Sequence, residues 1–541
     1  MLRSSNDPIR GGELIHFGKG RYVSSHSTLA TENTAAGRSG ALNTGTSIYD
    51  PDSTYMAMLQ NPRTPIGNRN RNTHVTFHDN PTFMRRVARG EDYTPWNNFT
   101  APDLWKIWTS GDDAACEKAY AEWEAANPQI KKMNGRETYL RVKNQTAQVG
   151  TVYGFDMLEA NRHTPHRDSI NCTNLCTEIA LPTFPYNSVA QLYRAKYYGT
   201  ASIVLADNTG AMFNHPIEMG DKITKTCHGL SRTVDSYCLL ADDIITVNDK
   251  ECKVVDVSGI PQQPETALCN LSGIIVSNMI GCTDKEYYGA CMVALKSIDY
   301  TIHSTTYRLP QVGWTAKKRM NAGVGIMGLA TVMAKKGLHY DTRAGRSEIH
   351  RMAERHMYFL IKASIQLGRE RGNAEWIDRT RWVDGWTPIE TYNRGIDKYH
   401  DAELVYDWVE LSKELIDNGG MRFSTLFTIP PGESSSKKSG PPNSIYPIRQ
   451  LALKKTDASN LLDWVAPHAE ELAWAYQSAW DIDTLDHIIH HGIWNKFTDQ
   501  MTSNDIYRDR RQKLELSSDK LITEGLLMKE IGLPSHYYTN S

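Results

Sequence analysis

A change of period constrains this chain most. Between residues 186 and 264 the apolar residues fall in short β-branched runs: Ser202-Ile203-Val204-Leu205, Asp243-Ile244-Ile245-Thr246-Val247 and Cys252-Lys253-Val254-Val255-Asp256-Val257. Turn-forming Asp207-Asn208-Thr209-Gly210 and Asn248-Asp249-Lys250 separate them. From residue 284 onward the spacing becomes helical, over 284–300, 322–337, 344–372, 402–418, 465–500 and 505–530. Residues 78–145 also read as helical, with Phe83, Met84, Leu104, Trp105, Ile107 and Trp108 facing a core, and 147–185 read as strand and loop. The segment 186–264 is therefore a small β insertion. Residues 1–50, rich in Gly, Ser, Thr and Asn, read as loops over a scaffold, and 429–449 as a Pro/Gly/Ser loop too polar for a core.

At 541 residues the chain can bury a large core and suggests roughly two to four units. A formal charge of -2 gives no electrostatic case for nucleic acid or an anionic membrane. No apolar run reaches the roughly 18–20 residues of a membrane span, and the start lacks the apolar core of a signal peptide. A cytoplasmic location is expected. Nine cysteines at irregular spacings point to reduced thiols, not to a disulfide framework. A zinc site from Cys227, His228, Cys238 and Cys252 would match no standard spacing, so no metal ligand is assigned.

The most informative stretch is Asn174-Leu175-Cys176-Thr177-Glu178-Ile179-Ala180-Leu181-Pro182. If extended, its period of two puts Asn174, Cys176 and Glu178 on one face. A thiol can lose one electron to become a thiyl radical, a carboxylate can take a proton from a hydroxyl, and an amide can hold a second hydroxyl. The same pattern also suits a half-buried strand in which cysteine is a small apolar residue.

That stretch resembles the finger-loop signature of class I ribonucleotide reductase catalytic subunits. Other segments follow in that family's order. Residues 8–13, Pro-Ile-Arg-Gly-Gly-Glu, fit upstream. Glu265-Thr266-Ala267-Leu268-Cys269-Asn270-Leu271-Ser272 resembles the second-cysteine strand, and Asn321-Ala322-Gly323-Val324-Gly325-Ile326-Met327-Gly328 the glycine-rich entry to a helix. Pro431-Gly432-Glu433-Ser434-Ser435-Ser436, with Asn443, Ile445, Pro447 and Arg449 beyond, resembles the P-S-E-T-S-S loop, though Gly432 and Ser434 stand where Ser and Thr are usual. Tyr537-Tyr538 resembles the family's paired tyrosines.

The resemblance implies an α/β barrel of ten strands, two antiparallel halves of five parallel strands with the finger loop at the centre, plus a C-terminal helical region. It divides the chain into a partial barrel with effector loops at 1–185, the insertion at 186–264, the second barrel half at 265–450 and the helical region at 451–541. Cys176 would be the transient thiyl, Glu178 the base on the 3′ hydroxyl, Asn174 a ribose ligand, and Cys269 half of a reducing dithiol. Glu433, Ser434, Ser435 and Ser436 would hold a substrate diphosphate, and Tyr537 and Tyr538 would relay the radical. Arg3, Arg10 and Arg38 would touch dNTP or ATP effectors. No cofactor would be bound in this chain. A metal-containing small (beta) subunit would supply the radical, a thioredoxin- or glutaredoxin-type protein the electrons, and ribonucleoside diphosphates the substrate. The family's first barrel strand, with the cysteine that pairs with Cys269, and its C-terminal cysteine pair have no counterpart here. A complementing N-terminal chain and a homodimeric catalytic assembly are therefore expected. Two other readings stay open: a catalytically idle nucleotide-binding or regulatory fragment, and the cobalamin-dependent reductase class.

Overall fold

Strands buried on both faces read as continuous apolar runs, and they organise this chain. The computed structural model describes residues 4–20, 22–26, 41–59, 61, 63–64, 73–186, 193, 200–260, 264–457, 460–508 and 517–540. Val75, Phe77, Val152 and Phe155 are all buried. Their strands, Thr73–Asp79 and Val152–Asp156, run parallel, and Leu42–Ser47 runs parallel on the far side of Thr73–Asp79.

The strand Val152–Asp156 then meets Ser535–His536 antiparallel, Phe155 opposite Ser535 and Gly154 opposite His536. Beyond this seam the direction is constant again. Thr539–Asn540 pairs parallel with Ile506–Tyr507, Ile429 bridges parallel to Thr502, Asn321 to Thr425, and Gly323–Met327 pairs parallel with Leu271–Ile275 over five residues. Among the described residues this gives three parallel strand segments, an antiparallel seam and five parallel segments. The outer edges are Leu42–Ser47 and Leu271–Ile275, and no closed ring is formed among the described residues.

Helices cover this array. Arg343–Arg371 is long because Ile349, Ala353, Met357, Leu360, Ser364 and Leu367 recur every three or four residues and are buried. Asp284–Ser304, which packs against it, starts on a capping box in which Thr283 and Glu286 satisfy each other's backbone N–H groups. No helix among the described residues is long and apolar enough to cross a membrane.

Residues 200–256 form a six-stranded antiparallel sheet in the order Leu230–Asp235, Lys222–Cys227, Ile244–Val247, Lys250–Asp256, Thr200–Ala206 and Met212–Glu218. Ile203, Leu205, Val234, Ile245 and Val254 form its core, together with Trp376 from the body. Lys225 and Arg232 reach Asp378, and Lys318 reaches Asp235, so charge pairs also fix this sheet to the helices.

Four expected elements differ. Residues 322–337 are not one helix: Gly323–Met327 is a buried strand and Leu329–Lys336 the helix, separated by Gly328 in the left-handed region (φ 88). A strand buried on both faces has no polar alternation, so its apolar run looks helical. The 465–500 helix is reduced to Ala469–Leu472 and Thr484–Asn495, and the 505–530 helix to Ser518–Ile531, with 509–516 outside the described residues. The 429–449 stretch is not merely a surface loop, because Ile429, Ile445, Tyr446 and Ile448 are buried.

Candidate active site

Residues 173–180 form a tight hairpin, not an extended strand. Thr173 and Ala180 bridge antiparallel, and Thr177 at the tip sits at φ 62, where its N–H donates to the Asn174 carbonyl at 3.3 Å. The Ile179 N–H donates to Asn174 Oδ1 at 3.1 Å. Turn geometry, not a pleat of period two, brings the side chains together. The hairpin is held from the strand array. The Glu178 carbonyl accepts from the Thr428 hydroxyl at 2.5 Å and from the Met501 N–H at 3.1 Å, and the Cys176 carbonyl accepts from the Ser503 hydroxyl at 2.6 Å.

Four of the residues singled out in the sequence converge here. The Asn174 amide reaches both the Glu178 carboxylate and the Cys269 thiol. Ser503 Oγ donates to Glu178 Oε2 at 3.3 Å. Cys269 lies two residues before the strand Leu271–Ile275 and opens to solvent in the site. The paired tyrosines join them: the Tyr537 hydroxyl donates to Cys176 Sγ at 3.3 Å, and the Tyr537 and Tyr538 rings lie 3.9 Å apart between centroids. Tyr537 is placed by the seam, its N–H donating to the Asn504 carbonyl at 3.0 Å.

Burial sets the electrostatics. The Glu178 carboxyl is pushed up from 4.5 to about 7 by desolvation, partly offset by hydrogen bonds from Asn174 and Ser503. The Cys176 thiol rises to about 12, first from burial and then from the Glu178 charge, with the Tyr537 hydrogen bond opposing. The protein packed around Cys269, which keeps a solvent-exposed edge, and the Glu178 charge push its thiol up as well, opposed by Asn174. Burial drives the Tyr537 phenol well above its ordinary value, with the nearby Cys176 adding to it. Both thiols are therefore held as S–H beside a carboxylate that can exchange a proton near neutrality. This arrangement suits hydrogen-atom chemistry better than thiolate nucleophilic attack.

The second candidate region adjoins the first. A cleft is lined by Glu433, Ser436, Lys437, Asn443, Arg449 and Tyr507, among others. Asn443 orders its rim, accepting from the Gly432 N–H at 2.7 Å and donating to Glu433 Oε1 at 3.0 Å. Ser434 and Ser435 are exposed at the start of the short helix Glu433–Ser439 and do not line the cleft. Tyr446 connects the two regions: it lines the cleft and donates to the Ser503 carbonyl at 2.8 Å. Arg10 is exposed at φ 51, in the turn between Ser5–Ile9 and Leu14–Phe17. Arg3 and Arg38 lie outside the described residues.

Sequence reasoning missed Ser503, Thr428, Tyr446 and Tyr153. The Tyr153 ring lies 4.9 Å from Tyr537 and 5.8 Å from Tyr538, and its hydroxyl lies 2.7 Å from His74 Nδ1. None of the four carries a local signal, because each acts through a partner far away in the chain.

A family model described as the barrel domain of ribonucleotide reductase matches residues 1–523. The ribonucleoside-diphosphate reductase subunit alpha of Haemophilus influenzae is 26% identical over 549 residues, covering 100% of this chain and 63% of that protein. Ribonucleoside-diphosphate reductase 1 subunit alpha of Escherichia coli is also 26% identical over 549 residues, covering 100% and 62%. The subunit alpha of Helicobacter pylori strain J99 is 26% identical over 471 residues, covering 85% and 55%. The chain thus spans less than two thirds of the length of these relatives.

Proposed function

This chain belongs to the ribonucleotide reductase family, and on that premise we propose that it carries the radical centre of a ribonucleoside-diphosphate reductase. The observation that carries the reading is the 3.3 Å contact between the Tyr537 hydroxyl and Cys176 Sγ, with Glu178 beside them. A buried phenol hydrogen-bonded to a half-buried thiol is a short path for a hydrogen atom.

An oxidised Tyr537 takes the hydrogen atom of the Cys176 S–H, leaving a thiyl radical. The thiyl takes the 3′ hydrogen of the ribose while the Glu178 carboxylate accepts the 3′-hydroxyl proton and Asn174 holds a ribose oxygen. The 2′ hydroxyl leaves as water. Two thiols, Cys269 and a partner cysteine, supply the two electrons and two protons and close to a disulfide; Cys176 then returns the 3′ hydrogen. A metal-containing second subunit supplies the oxidising equivalent through Tyr538 and Tyr537, and a thioredoxin- or glutaredoxin-type protein reopens the disulfide. The diphosphate lies in the cleft by Glu433 and Ser436, with Lys437 and Arg449 offsetting its charge and Ser434 and Ser435 at its mouth. Nucleoside triphosphate effectors bind on the Arg3, Arg10 and Arg38 loops near a dimer interface.

The architecture that suits this chemistry is a ten-stranded barrel, divided as 1–185, 186–264, 265–450 and 451–541. Two strands between the open edges Leu42–Ser47 and Leu271–Ile275 would complete two halves of five and place a cysteine opposite Cys269. Their proposed source is a segment N-terminal to residue 1, on the same polypeptide or on a complementing chain. The test is Cys176→Ser in the reconstituted assembly: deoxynucleotide formation should vanish while equilibrium nucleotide binding stays within about twofold of wild type, a small change for loss of one atom contact. Residual reduction by that variant would refute the assignment.

A further inference from the structure

The hairpin at residues 227–230 joins two strands of the six-stranded sheet and brings its tip to the body at Arg381–Asp384. Neighbouring residues of an extended strand point to opposite faces. The left-handed backbone of His228 (φ 48) and Gly229 (φ 76) breaks that alternation, so Cys227 and His228 meet the same carboxylate. The Cys227 sulfur, a His228 ring nitrogen and an Asp384 oxygen all lie within 4.8 Å of one another. We propose that Cys227, His228 and Asp384 form a binding site for a zinc-class divalent cation that fastens the six-stranded sheet to the body.

Three observations converge on a cation. The donor set of sulfur, nitrogen and oxygen suits a borderline ion such as Zn²⁺ or Co²⁺, and three protein ligands leave a fourth tetrahedral position for water. Ligand atoms around tetrahedral zinc sit roughly 3.4–3.8 Å apart given its bond lengths, so small side-chain rotations close the set. The carboxylate is also prepositioned. Arg167 holds Asp384 Oδ2, leaving Oδ1 facing His228 Nε2 at 3.7 Å. Such outer support orients a ligating carboxylate. The Arg167 charge opposes a cation, but a thiolate and a carboxylate together outweigh it.

The four-residue set weighed from sequence does not assemble. Cys238 and Cys252 are buried in the core of the sheet, and the Cys238 thiol donates to the Glu375 carbonyl at 3.7 Å. Asp384, far away in the chain, takes their place. This site sits at one end of a seam already held by Arg232 and Lys225 on Asp378.

The test uses the full chain, stripped of metal by a chelator and titrated with Co²⁺, then Zn²⁺. One Co²⁺ per chain should bind with a thiolate-to-metal charge-transfer absorption in the near ultraviolet, and Zn²⁺ should displace it. Cys227→Ser should lose that absorption, and His228→Ala should raise the Kd by at least about tenfold. Cys282→Ser, which alters a thiol elsewhere, should keep both. Absence of the charge-transfer absorption in the wild-type chain, or its persistence in Cys227→Ser, would overturn the proposal. Asp384→Asn gives the same readout from the body side: unchanged Co²⁺ affinity there would equally remove the site.

Discussion

Replacing Glu178 by Gln tests the proton chemistry of the proposed centre most directly. Burial raises this carboxyl from 4.5 to about 7. A base must be ionised to accept a proton, so kcat/KM should climb with pH through that value. About one tenth of the group is ionised at pH 6 and about one hundredth at pH 5, so rates there should be roughly tenfold and a hundredfold below the plateau. An unburied glutamate would be about 97% ionised at pH 6 and show almost no loss. The assay is the initial rate of ribonucleoside diphosphate reduction by the assembled enzyme from pH 5 to 8.5. Glu178→Gln should lower kcat by about 10²–10⁴-fold and flatten this limb, because positioned general bases contribute that much. An acid limb surviving in the variant at the same midpoint would refute the reasoning. It would transfer the base role to Asp505, whose carboxyl burial also pushes to about 7.

Glu178, Asp499 and Asp505 all rise to about 7, so each favours its protonated form in the fold. Their stabilising contribution is complete below the unfolded values near 4 and is lost as pH rises through about 7. Glu178→Gln should therefore resist denaturant better than wild type at pH 8, by up to about 3 kcal/mol, with little gain at pH 4. Tyr537→Phe removes one buried hydrogen bond to Cys176, so it should cost only about 1 kcal/mol in unfolding experiments while turnover falls to background; measurable turnover would break the relay. Arg319 is 3% exposed and pairs with Glu265 and Asp168, both buried or nearly so. Arg319→Ala should destabilise the chain by about 3–5 kcal/mol by stranding the Glu265 carboxylate, while Asp168 keeps its pair with Arg379; the effect is read as a lowered denaturation midpoint, and a change under 1 kcal/mol would show that the network is dispensable.

The chemistry-bearing residue types were legible because they are local: an amide, a thiol and a carboxylate within five positions cannot be spread far by any backbone. Their geometry was not legible. Alternation suggested a flat strand, whereas Thr177 turns left-handed and the Asn174 carbonyl closes the loop. The buried Gly323–Met327 strand imitated a helix because both of its faces are covered. The 429–449 stretch looked solvated, yet its polar groups pair with one another, as Asn443 does with Gly432 and Glu433, and its apolar residues turn inward. Ser503 and Tyr153 lie over 300 residues from one of their partners, and no window of sequence brings them together.

The antiparallel seam carries one more implication. The residues that zip Val152–Asp156 to the far half of the array flank the phenol that touches the reactive sulfur. If Tyr537 relays the radical as proposed, cutting that short segment would undo the seam and displace the phenol in one event. Under that proposal, such damage would end turnover without leaving a thiyl at Cys176.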